Sequence, residues 1–162
     1  MNKLFGQIAI IFSLLCSGNA FAQQVDYFLK DGKGKSLGQM VFNYNPNGYE
    51  ATMNGQRLAM ELTKNTAIAT MGKLIITVSI DGIYWHKRVG EWRSTAVTTS
   101  FGDKGIAKMF YVGMTPKGRH YREELWLNDH LFNRSETVID HNDQIVWSVA
   151  TNQEGTLRLT RL

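Results

Sequence analysis

Short turn motifs recur along the chain, and they constrain the fold more than any other feature of the sequence. Asn-Gly and Asp-Gly pairs supply the positive φ angles that two-residue hairpin turns need. The runs between the motifs alternate apolar and polar residues with the period of a β-strand, as in Leu58, Met60 and Leu62. The motifs are Asp31-Gly32, Asn45-Pro46-Asn47-Gly48, Asn54-Gly55, Asp81-Gly82, Gly102-Asp103-Lys104-Gly105, Pro116-Lys117-Gly118, Asn142-Asp143 and Glu154-Gly155.

This pattern predicts an all-β domain, an antiparallel meander of about 10–12 short strands joined mostly by hairpins. A barrel, a half-open barrel (clam) and a sandwich all fit it. The run Asp26–Lys30 followed by Ser36–Gln39 resembles exported bacterial domains of unknown function, and that resemblance implies an open clam. The stretch from Leu62 to Met71 is ambiguous, and residues from Asn128 to Glu136 could hold one helical turn.

The first 22 residues have the features of a secretory signal peptide. Lys3 makes the start basic, an apolar run follows, and Ala20 and Ala22 form an A-x-A cleavage site. The apolar run is shorter than the roughly 20 residues of a transmembrane helix. We therefore predict a signal peptide at 1–22, a single all-β domain at 23–162, and export to the periplasm or outside the cell, with no transmembrane segment. Lipidation at Cys16 is a minor alternative.

Composition narrows the chemistry of the exported domain. The one cysteine, Cys16, lies in the predicted signal, so a cysteine nucleophile, a thiolate metal site and a thiol redox role are excluded. The net charge of the whole chain, +4, is too weak to indicate nucleic-acid binding. The four histidines lack metal-ligand spacing, and there is no G-x-S-x-G motif or phosphate loop. We predict no catalytic residue, no metal and no cofactor.

The segment 84–93 (YWHKRVGEWR) concentrates aromatic and cationic residues. We interpret it as a hairpin strand with Trp85 and Val89 toward the core and a polar outer face. Its exposed part is the best candidate for a protein-binding surface, because Tyr, Trp and Arg are enriched in interface hot spots. The candidate binding residues here are Tyr84, His86, Arg88, Trp92 and Arg93.

A second polar segment, 119–127, supplies the remaining candidates His120, Arg122 and Glu123. On a strand, His120 and Arg122 share one face, and Glu123 lies on the opposite, otherwise apolar face. A carboxylate that faces a barrel interior could contact a ligand or have a raised pKa. The favoured interpretation is an edge strand with Glu123 at its wet end, because charged side chains are rarely fully buried.

Three classes of function remain, and the leading one is a non-catalytic binding protein. Such a protein would act on another envelope or secreted protein as an inhibitor, immunity or accessory factor. The second class is a carrier of a lipid or other apolar ligand inside the barrel or clam. The third is a small secreted hydrolase that uses Glu123 or a histidine. The expected partner is a protein, with an anionic glycan or lipid as the alternative and no nucleic acid.

Overall fold

The computed structural model describes residues 22–79 and 87–162. The candidates Tyr84 and His86, and all but the last residue of the predicted signal peptide, lie outside the described residues. Every regular element in these ranges is a β-strand. The strands are β1 (Gln23–Asp31), β2 (Ser36–Asn45), β3 (Gly48–Met53), β4 (Gln56–Leu62), β5 (Thr66–Met71), β6 (Leu74–Ser79), β7 (Trp92–Thr99), β8 (Lys104–Thr115), β9 (Gly118–Leu127), β10 (His130–Ile139), β11 (Ile145–Asn152) and β12 (Gly155–Arg161).

The strands form a closed antiparallel barrel in meander order. Each strand pairs with its neighbours in sequence, and β1 pairs with β12 to complete the ring. The predicted all-β meander is therefore confirmed, and of the three predicted architectures the barrel is correct. The open clam implied by the local resemblance is wrong, because Tyr27 to Asp31 pair with Arg161 to Leu157 and join the first strand to the last.

The position of the chain termini distinguishes the two ends of the barrel. Six short turns, beginning with that between β1 and β2, lie at one end, which we name the turn end. Asn54 and Gly55 there have φ angles of 49° and 77°, as a two-residue hairpin turn requires. Asn128 and Asp129 also have positive φ, of 48° and 63°, so this stretch is a hairpin turn and the expected helical turn is wrong. The opposite, terminal end holds Gln23 and Leu162.

The barrel interior has two unlike halves. The apolar half, β1 to β6, is filled by aromatic and methionine side chains. The Phe42 ring lies 4.7 Å from that of Tyr27 and 4.9 Å from that of Tyr49, measured between centroids. The mixed half, β8 to β11, buries polar side chains beside apolar ones. Its buried polar residues include Glu123, Asn133, Ser135, Thr137 and Ser148.

Candidate functional site

The described part of the YWHKRVGEWR segment is a loop until its last two residues. Val89 makes an isolated parallel bridge to Tyr111, and the N–H of Gly90 donates to the Tyr111 carbonyl at 3.1 Å. Gly90 has a φ of 79°, which turns the chain before β7 begins at Trp92. Val89 is consequently 67% exposed, and the expectation that it faces the core is wrong.

Trp92 and Arg93 point to opposite sides of β7, because neighbouring residues on a strand alternate. Trp92 is 45% exposed on the outer face, where its ring lies 5.1 Å from that of its cross-strand partner Phe110. Arg93 shares the inner side with the buried Val97 and is half-buried. The prediction of one exposed surface therefore holds for Trp92 and is wrong for Arg93.

The outer face of β8 continues the surface that Trp92 begins. Cationic and apolar side chains alternate along it, while Ala107 and Met109 between them are buried in the barrel. The Lys108 ammonium lies 5.3 Å from the centroid of the Trp126 ring on β9. We name this surface the hairpin face. It consists of Trp92, Lys104, Ile106, Lys108 and Phe110.

Exposed apolar side chains are concentrated in the part of the chain that contains the hairpin face. Eight large hydrophobic residues are exposed within the described ranges, and five of them lie between positions 89 and 114. Sequence reasoning identified Trp92 but missed Ile106, Lys108 and Phe110. Their alternation with Ala107 and Met109 was the available signal. The five exposed hydrophobic residues between positions 89 and 114 are Val89, Trp92, Phe101, Ile106 and Met114.

Arg122 and His120 lie on the outer side of β9, beside the carboxylate of Glu136. Arg122 stands opposite Phe110 on one side and Glu136 on the other, and its Nε donates to a Glu136 carboxylate oxygen at 2.7 Å. The Nε2 atom of His120 lies 3.3 Å from the other oxygen of Glu136, and its ring contacts Trp147. Arg122 thus borders the hairpin face, whereas His120 is mostly covered.

Glu123 lies inside the barrel and is 4% exposed. The edge-strand interpretation is wrong, because β9 is paired on both sides, with β8 and with β10. The Ser135 hydroxyl donates to a Glu123 carboxylate oxygen at 3.1 Å. Met109 on β8 pairs with Arg93 on one side and with Glu123 on the other. Both side chains therefore lie on the inner side of the wall, with their backbones about 10 Å apart.

Arg88 is exposed and lies 3.8 Å from Glu91, measured between its Nη1 and a carboxylate oxygen. Both side chains are well exposed, so solvent screens this pair and it adds little stability. Of the predicted candidates, the structure brings Trp92 and Arg122 together around Phe110. It places His120 apart from them, and turns Arg93 and Glu123 into the barrel.

The turn between β10 and β11 anchors the terminal end, a role that sequence reasoning missed. Arg161 Nη1 donates to the Asp140 carboxylate at 2.7 Å, and the N–H groups of Asn142 and Gln144 donate to its other oxygen. Burial by itself would raise the pKa of Asp140, but the hydrogen bonds from Arg161 and this backbone outweigh it and hold the pKa below its ordinary value. Asp143 is buried and ion-paired with Arg119.

Two tyrosine hydroxyls join this turn to the apolar half. Tyr27 donates to the Ile145 carbonyl at 2.6 Å and shares a hydrogen bond of 2.8 Å with the Tyr44 hydroxyl. The N–H of Ile145 in turn donates to Tyr44 at 3.2 Å. On the other side of the turn, burial raises the pKa of Tyr121 to about 12, although Arg119 acts in the opposite direction. This cluster is a structural anchor made of satisfied polar groups.

Residues 22–79 and 87–162 hold neither a cluster of metal-ligating side chains nor a helix that could span a membrane. No group of three or more histidine, cysteine, aspartate or glutamate side chains there could hold a metal ion. No helix in the same ranges is long and apolar enough to cross a bilayer.

Comparison with known proteins gives a distant likeness. No protein-family model matches the chain, and no curated protein matches it either. One similar solved structure is a protein from Bacteroides fragilis that is thought to be exported and is described as having a YmcC-like fold. It is 13% identical to this chain, with a TM-score of 0.42, over 90% of this chain and 96% of that one.

Proposed function

We propose that the protein is an exported, non-catalytic binding protein. It contacts another envelope or secreted protein through the hairpin face, as an inhibitor, immunity or accessory factor does. The export part of this proposal rests on the signal-like residues 1–22.

The observation that carries the proposal is the exposure of Trp92 while it packs on Phe110. A tryptophan that is 45% exposed leaves a large apolar area in water, and Ile106 on the next strand is exposed to the same extent. Contiguous apolar surface edged by polar groups marks interaction sites. Tryptophan is also among the residues whose removal costs most at protein interfaces. Arginine is another such residue type, and Arg122 lies at the border of the hairpin face.

The other two classes of function have less support from the described residues. In the apolar half, Phe42 contacts the rings of Tyr27, Tyr44 and Tyr49, as in a packed core. This packing favours a structural role over a lipid-binding one for these side chains. His120 and Glu123 lie on opposite sides of the β9 wall, so they are not arranged to act together in hydrolysis.

Position-specific photo-crosslinking in the host cell tests the proposal. A photoreactive amino acid at position 92 is compared with the same group at position 28. Phe28 is the matched control, because it is a 40% exposed aromatic residue on the outer side of β1. We expect a discrete protein adduct from position 92 and none from position 28.

The adduct partner is then purified and its affinity for the wild-type chain, Trp92→Ala and Phe28→Ala is measured by calorimetry. We expect Trp92→Ala to weaken binding about 30-fold, the equivalent of a 2 kcal/mol hot spot, with unchanged thermal unfolding. Phe28→Ala should bind normally. Equal affinity of all three proteins would contradict the proposal, as would unfolding of Trp92→Ala.

A further inference from the structure

The stretch that carries the hairpin face is far more basic than the rest of the chain. Residues 87–122 contain eight lysines and arginines but two acidic residues, Glu91 and Asp103, a net charge of +6. The whole chain has a net charge of +4, so all other residues together carry −2. Of the eight cations in residues 87–122, Arg93 turns into the barrel, and Arg88, Arg119 and Arg122 are ion-paired. Lys104 and Lys108 therefore give the hairpin face its positive charge, which attracts surfaces of the opposite sign.

The acidic residues near the hairpin face are engaged by other groups. Glu124 on β9 stands opposite Lys108, and its carboxylate accepts hydrogen bonds from Trp126 and Arg134. Glu91 lies beside Arg88 before β7 begins, and Asp103 accepts hydrogen bonds from Thr99 and Asn128 at the turn end. Within the part of the chain that the structure describes, neither Lys104 nor Lys108 has a carboxylate at ion-pair distance.

The separation of the two lysines determines what a complementary surface must look like. Lys104 and Lys108 lie four residues apart on the outer side of β8, with Ile106 between them. At about 3.3 Å per residue, their backbone positions are separated by about 13 Å. A complementary surface would therefore carry two carboxylates at about this separation on either side of an apolar group that covers Ile106.

We infer that the binding partner in the proposed function is a protein whose contact surface carries two carboxylates in this arrangement. Apolar contact with Trp92 and Ile106 supplies the burial, and the flanking lysines select an acidic surface and orient it. Because the described strands close into a ring, the partner docks on side chains of the barrel wall instead of extending a sheet edge. The inference deepens the proposed function and depends on it.

The test uses the full chain with the photoreactive group at position 106, produced in its own host. Crosslinking is compared in three backgrounds: no further change, Lys104→Glu with Lys108→Glu, and Lys30→Glu. Lys30 is the matched control, since it is an exposed lysine on β1, outside the hairpin face. We expect the double charge reversal to lower the adduct yield at least tenfold and the control to leave it unchanged. The crosslinked segment of the partner should contain an excess of aspartate and glutamate.

Several outcomes would overturn the inference. A lipid adduct would show that the basic surface meets a membrane, and a partner segment without excess acid would show that apolar contact alone determines binding. If Trp92→Ala abolishes the adduct while the double charge reversal does not, the proposed function stands and the acidic partner is wrong. If neither position 92 nor position 106 gives a protein adduct, both fail. Circular dichroism of each variant shows whether it is folded.

Discussion

The apolar and mixed halves of the barrel wall enclose one interior by different means. In the apolar half, the rings of Tyr27, Phe42 and Tyr49 contact one another, and burial of apolar area is the main stabilising term. In the mixed half, polar side chains are buried in bonded pairs, such as Thr137 with Ser148 at 2.9 Å. A barrel wall can therefore bury hydroxyls at modest cost when neighbouring strands supply their hydrogen-bond partners.

The largest loss of stability should come from replacing a glycine, one in each half, because the backbones of two strands approach closely at both. Gly48 begins β3 and Gly118 begins β9, and a Cβ on either would lie 1.9 Å from a carbonyl oxygen of the next strand. Their φ angles, 138° and 142°, also disfavour other residues. We expect Gly48→Ala and Gly118→Ala each to cost more than about 3 kcal/mol in urea unfolding.

Gly34→Ala is the control for this prediction. Gly34 also has a positive φ, 83°, but a Cβ there has open space within 4 Å. The strain of the left-handed conformation alone should cost about 1 kcal/mol. If all three variants lose the same stability, close strand approach is not what requires glycine at 48 and 118.

The apolar half should depend strongly on single rings. Phe42→Ala removes a fully buried side chain that contacts three tyrosines, so we expect a loss of about 3–5 kcal/mol in the free energy of unfolding. Phe28→Ala, on the outer side of the same sheet, should cost less than about 1 kcal/mol. Chemical denaturation measures both, and a small loss for Phe42→Ala would mean that the apolar half collapses around the deletion.

The hydrogen bond from Arg161 to Asp140 links β12 to the turn between β10 and β11, and it should make the stability of the fold sensitive to acid. The pKa of Asp140 is lowered in the folded protein, so its contribution is present above the unfolded pKa of about 4 and is lost as the pH falls through the lower folded value. Asp140→Asn should cost about 2 kcal/mol at pH 7 and reduce the dependence of stability on pH below 4. Denaturant titrations from pH 2 to 7 test this. An unchanged acid limb in Asp140→Asn would show that other carboxylates dominate.

Substitutions in the mixed half should cause the smallest losses of stability, and the losses of two such substitutions should be the least additive. Thr137→Val or Ser148→Ala alone removes the hydrogen-bond partner of one buried hydroxyl and should cost about 1 kcal/mol. The double variant should cost less than the sum of the two, because no orphaned hydroxyl remains. A double-mutant cycle measures this coupling, and strict additivity would show that the hydroxyls do not depend on each other.

Local patterns predicted the strands well, because turn chemistry and period-two alternation are properties of neighbouring residues. They predicted the placement of individual side chains less well. The burial of Glu123 depends on β9 being paired on both sides, which is a consequence of closure and not of its own sequence. The exposure of Val89 follows from the bend at Gly90 before β7. Met114, next to the last residue of β8, is 71% exposed at the terminal end.

The pairing of β1 with β12 has a consequence for the order of the chain itself. The N–H of Leu162 donates to the Asp26 carbonyl at 3.1 Å, so the last residue lies beside the first strand at the terminal end. A short linker from Leu162 to Gln23 would make the chain circular, and cutting it between Asn54 and Gly55 would give a circular permutant with new termini in an exposed turn. In that permutant the pairing of β3 with β4 would join the last strand of the chain to the first. Folding rates of the two forms would show whether it matters which strand pair joins the chain ends.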